Sequence, residues 1–225
     1  MISFLTESIL LLPLLGKPPH SITLQAFYLL ANALIMRSKK SNQPEDAISA
    51  VKYLFNLRDQ PREISKLLRH QFTISLVHAL AVQVELEAGD VKENIRQIAV
   101  FSQELFTSGW DASDDDTTGL IHLIQKTVVP KIRTLGPDQT LDKVIECLQA
   151  ARKHRPDLFE ARIALAKTFS LRYFMTFAND DYEEAMFILD EIIASSRSPG
   201  DSRRLAKGIA ARLAGSRFAA HDTPE

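Results

Sequence analysis

The 225-residue sequence predicts an all-α chain, an α-solenoid of about four to five antiparallel helical hairpins. Three observations predict it. Apolar residues recur at the i, i+3, i+4, i+7 spacing of one helix face, while alternation with period two is almost missing. Proline and glycine fall mostly between these stripes or at their first positions. One phrase also recurs: an alanine, an apolar or small residue three positions on, and an arginine six positions on. It reads Ala31, Leu34, Arg37, then Ala166, Phe169, Arg172, then Ala211, Ala214, Arg217.

Along the chain, the apolar run Phe4–Ile9 aligns with Ile188–Ile193, so a helix over 2–12 reads as the second half of a hairpin. Residues 1–13 then form an incomplete leading unit. Glu7, Pro13 and the lack of Lys or Arg before Lys17 fit neither a secretory signal nor a spanning helix. Helices are expected over 21–40 and 44–58, the second opened by Pro44 and striped by Ala47, Ile48, Val51, Leu54 and Phe55. Two helices, 61–70 opened by Pro61 and 72–88, come next. The helix 90–107 carries Ile95, Ile98, Ala99, Ser102 and Phe106 on one face.

Residues 108–118 are acidic and polar and read as a loop. Pro130 lies inside the 117–135 pattern and should kink or split that helix. Leu141, Val144, Ile145, Leu148 and Ala151 stripe 140–154, and Asp157 caps 157–176. Asn179, Asp180 and Asp181 open 180–196, with Tyr182, Ala185, Leu189, Ile192 and Ile193 inside. A last helix near 202–219 leaves 203–219 as an incomplete trailing unit. The expectation is a single solenoid domain over 1–225 that belongs to a longer protein.

The phrases lead into second helices at Ala47-Ile48 and Ala185-Met186, and a weaker copy runs Ala81, Val84, Glu87, Gly89-Asp90, Ile95. This hairpin resembles a divergent tetratricopeptide unit. The strings Leu30-Ala31-Asn32-Ala33-Leu34, Pro44-Glu45-Asp46-Ala47-Ile48 and Asn179-Asp180-Asp181-Tyr182-Glu183-Glu184-Ala185 are similar to the degenerate tetratricopeptide arrays of basidiomycete fungi. Such arrays often stand beside a caspase-like (CHAT) domain or inside NLR-like proteins. The small-to-small spacing, from Ala31 to Ala47 and from Ala166 to Ala185, is longer than the family pattern. The resemblance implies a protein-interaction role.

Chemistry is sparse in the sequence. Lys and Arg number 27 against 28 Asp and Glu, and neither half is basic, which argues against nucleic-acid or anionic-membrane binding. A single cysteine, Cys147, excludes an internal disulfide framework and sits beside Leu148 as a small hydrophobe. His20, His70, His78, His122, His154 and His221 are scattered, with no one-turn pair of the zinc-hydrolase kind. Asp111, Ser113, Asp114, Asp115 and Asp116 lack the glycine and glutamate of a calcium loop. Gly16-Lys17 lacks the glycine spacing of a phosphate loop. Asp180, Asp181, Glu183 and Glu184 fit an aspartate-rich magnesium–diphosphate pattern, but no second such motif follows, and acids that open a helix are favoured there by its dipole.

Arg37, Arg172 and Arg217 either line a partner-binding face or close the hairpin onto carbonyls or a carboxylate of the second helix. Trp110 reads as a cap on the 90–107 helix or as a binding anchor. Arg203, Arg204, Lys207 and Arg212 make the last helix basic on one side. The function expected is a non-catalytic scaffold for a protein or peptide partner, with no cofactor or metal, in the cytoplasm. The other readings are a small all-α enzyme using Asp180 with magnesium on a diphosphate, and a spacer without a ligand.

Overall fold

The computed structural model describes residues 21–59, 64–108 and 114–221, and every regular element among them is helical. The expected helix 2–12 with its leading unit, His20, Gly16-Lys17 and Trp110 lie outside the described residues. The chain divides into two compact units, Met1–Leu105 and Phe106–Glu225.

In the first unit, α1 (Ser21–Ser41) and α2 (Pro44–Arg58) form a hairpin. Two linking residues force the antiparallel arrangement. Asn42 supplies the turn with φ 53°, and the Ser38 hydroxyl donates to the Gln43 carbonyl at 2.6 Å. The phrase residues Ala31 and Leu34 are buried, as is Ala47 on the facing helix. The inner face of α2 is turned slightly from the expected stripe. Ala47, Ala50, Leu54 and Leu57 are buried, whereas Ile48, Val51 and Phe55 are half-buried.

The expected pair 61–70 and 72–88 is one helix, α3 (Lys66–Glu85). Ser65 caps it by accepting from the Leu68 amide at 3.3 Å, and no Gly or Pro stands between 70 and 72 to break it. This helix is buried over most of its circumference because both α1 and α2 pack on it. That wrapping blurred its amphipathic period into two short pieces. A buried amide chain then ties in α4 (Val91–Thr107): Asn94 donates to Gln83 at 3.0 Å, and Gln83 donates to the Ala47 carbonyl at 3.2 Å. Ile95, Ile98, Ala99 and Ser102 are buried as their spacing requires.

In the second unit the helix expected over 117–135 starts earlier, at α5 (Asp114–Leu123), so the acidic loop is shorter than 108–118. Its acids stand in a first turn, where the helix dipole favours negative charge. A π-turn, Ile124–Val128, joins it to α6 (Val129–Leu135). Pro130 therefore neither splits nor simply kinks the helix. The Val129 amide reaches back five residues to the Ile124 carbonyl, and that widened turn absorbs the missing N–H and the bulk of the ring.

Gly136, at φ 88°, ends α6. Asp138 caps α7 (Gln139–His154), accepting from the Thr140 amide at 2.8 Å. Next come α8 (Phe159–Thr176), α9 (Asn179–Ala194) and α10 (Gly200–His221), each packed on its predecessor. Helix α8 is the centre of this unit, touching α5, α7, α9 and α10. The last helix is not solitary, because Ala206, Ile209 and Leu213 are buried. Ala211 is exposed and Ala214 half-buried, so the third copy of the phrase supplies no small-residue contact. Among the described residues no helix is long and apolar enough to cross a membrane.

Candidate functional site

Two of the three phrase arginines make the same contact nine residues ahead. Arg37, in the last turns of α1, forms a bidentate pair with Asp46 in the first turn of α2: Nη2 lies 2.5 Å from Oδ1, and Nε donates to Oδ2. Arg172 repeats this from α8 to α9, with Nε 2.8 Å from Asp181 Oδ2 and Nη2 2.6 Å from Oδ1. Its remaining Nη1 donates to Asp142 of α7 at 2.5 Å. One guanidinium thus ties three successive helices. The forked geometry matches carboxylate oxygens two at a time, which suits arginine and not lysine. Both guanidinium groups are held above their usual pKa, first by these hydrogen bonds.

Arg217 does something different. Its guanidinium carbon lies 4.5 Å from the centre of the Tyr182 ring, a cation–π contact between α10 and α9.

The acidic helix start is partly used up by the same device. Asp181 is buried, and both its oxygens accept from Arg172, so a magnesium site there would have to form without it. Asp180, Glu183 and Glu184 are exposed. Among the described residues no group of three or more His, Cys, Asp or Glu is placed to hold a metal ion. Cys147 is fully buried, and desolvation pushes its thiol far up, away from the reactive thiolate. Burial lowers the pKa of His78 and of His70.

A concave surface does occur inside the second unit. Helices α6, α8 and α10 enclose a groove of about 590 Å³. From α8 it takes Lys167, Ser170, Leu171 and Phe174, a stripe at i, i+3, i+4 and i+7. Val129, Pro130 and Arg133 line one side from α6, and Ile209, Arg212 and Leu213 the other from α10. The π-turn stands directly before Val129 and Pro130, so it sets the direction from which that wall approaches. Ile209 and Leu213 are buried in the floor, whereas Phe174 remains 44% exposed.

Three cations reach this groove and, among the described residues, no acidic one lines it. Among the described residues Arg133, Lys167 and Arg212 have no carboxylate partner. Burial and then the charge of Arg212 hold the Lys167 ammonium below its ordinary pKa.

Sequence reasoning reached only part of this arrangement. Arg212 stood out in the basic last helix. Arg133, Lys167 and Phe174 did not, because they come from helices whose approach only packing determines. The available signal was the mixed stripe on α8, apolar and basic at helical spacing on a helix already buried elsewhere. No protein-family model, curated protein or solved structure matches this chain.

Proposed function

We propose that this chain is a non-catalytic protein-interaction scaffold of the helical-repeat type, its hairpins being divergent tetratricopeptide-like units in right-handed succession. The observation that carries the reading is the groove on α8, where an exposed phenylalanine and a buried apolar floor sit under cations that nothing in the described chain neutralises. Concave helical surfaces of mixed apolar and charged lining suit the capture of a protein segment. Arg37 and Arg172, for which ligand binding was the other reading, support the scaffold by closing hairpins.

Selection from a displayed library of protein fragments tests the reading. Reproducible enrichment of fragments on the intact chain is expected. Titration of inorganic diphosphate with magnesium should give no binding that depends on Asp180. An empty selection, together with magnesium-dependent diphosphate binding lost in Asp180→Ala, would replace the scaffold with the enzyme reading.

A further inference from the structure

Three cations converging with no counter-charge among the described residues is an unusual use of a folded surface. Charges of one sign repel, and the half-buried Lys167 also loses hydration, so a groove of this kind is unfavourable unless something anionic enters it. In the hairpin closures of this same chain, Arg37 and Arg172 each meet an aspartate. Arg133, Lys167 and Arg212 come from three different helices, α6, α8 and α10, and among the described residues none meets one. Lys167 stands in the middle helix with an arginine on either flanking helix. Between them lie Leu171, Phe174 and the floor of Ile209 and Leu213.

From this charge complementarity we infer that the groove receives an acidic segment of a protein partner, in which Asp or Glu side chains flank a large apolar side chain. The carboxylates pair with Arg133, Lys167 and Arg212, and the apolar side chain lies on Leu171 and Phe174. The inference rests on the interaction reading above and names the chemistry of its ligand. A nucleic acid fits less well. Three cations do not make the extended stripe that tracks a phosphate backbone, and much of the lining is aliphatic. Arginine also pairs with carboxylate in the forked geometry already seen twice in this chain.

The test compares the wild-type chain with the Arg133→Gln, Lys167→Gln, Arg212→Gln triple variant, using fragments enriched on the wild type. Enriched fragments should be richer in Asp and Glu than the starting library and carry at least one large apolar residue. Their affinity should fall at least about tenfold in the variant and weaken with added salt. Arg133 and Arg212 are exposed, so the double variant carries the test if Lys167→Gln disturbs folding. A single-stranded oligonucleotide serves as the competing polyanion.

Fragments with no acidic excess, or bound equally by the variant, would overturn the inference and leave the scaffold reading standing. Equal or tighter binding of the oligonucleotide, lost in the same variant, would assign the groove to nucleic acid and overturn it as well. An empty selection would sink both readings together.

Discussion

At the scale of single residues, the Arg–Asp closure differs between its two copies in depth. Asp181 has 4% of its side chain exposed and Arg172 28%, against 11% for Asp46 and 46% for Arg37. Breaking a buried pair costs more than breaking an exposed one, because the stranded charge stays desolvated. Arg172→Ala is therefore expected to destabilise by about 2–4 kcal/mol and Arg37→Ala by about 1 kcal/mol in urea unfolding. Double-mutant cycles with Asp181→Ala and Asp46→Ala should rank the coupling energies the same way; equal energies would show that solvent screens both pairs alike, and the reverse order that depth does not set them. The three arginines were visible in the sequence, with a carboxylate of the second helix as one expected partner; that Asp46 and Asp181 would be those partners was not, because a nine-residue step from one helix into the next depends on how the turn closes.

His78 carries a pH dependence whose direction follows from its depressed pKa in the fold. As pH falls through about 6.5 the unfolded chain takes up its proton first, so stability is fully present above that value and declines below it. His70 acts in the same direction, and one group contributes at most about 1.4 kcal/mol per pH unit. His78→Gln should flatten, without abolishing, the fall in urea midpoint between neutral pH and about pH 5. An unchanged slope would mean that His78 titrates alike in both states.

At the scale of elements, the breakers were the most legible feature. Helix α2 occupies the expected 44–58, and Gly89 and Gly136 take positive φ after helix ends. The failures have packing causes. Helix α3 is enclosed by two neighbours and shows little periodicity, while the π-turn before Pro130 depends on a backbone adjustment that no residue type announces. Two glycines test this level in opposite directions. Gly119 is an exposed helix residue around which an added methyl meets nothing within 4 Å, so Gly119→Ala should stabilise by about 0.5–1 kcal/mol. Gly136 lies at φ 88° and ψ 170°, a region nearly closed to other residues, so Gly136→Ala should cost about 1–3 kcal/mol. Calorimetry reads both; the same sign for the two would contradict the assigned backbone. Leu165, 1% exposed on α8, should lose about 2–5 kcal/mol as Leu165→Ala. A change below about 0.5 kcal/mol would mean that this face of α8 is not packed.

At the scale of the whole molecule, composition limits the chemistry without naming a partner. A net charge of −1 conceals a local imbalance, because positive groups gather at one groove while hairpin aspartates neutralise others elsewhere. Neither total charge nor the balance between halves reveals this, since Arg133, Lys167 and Arg212 are separated by many acidic residues in sequence. Helical class and most helix bounds were legible because periodicity and breakers are local. The groove was not, because it exists only once α6 and α10 flank α8. Hydrogen exchange of the intact chain, alone and saturated with a selected acidic fragment, tests the scaffold account most directly. Slowed exchange confined to 129–135, 159–176 and 200–221 is the expected result; protection only outside those helices, or none, would contradict it.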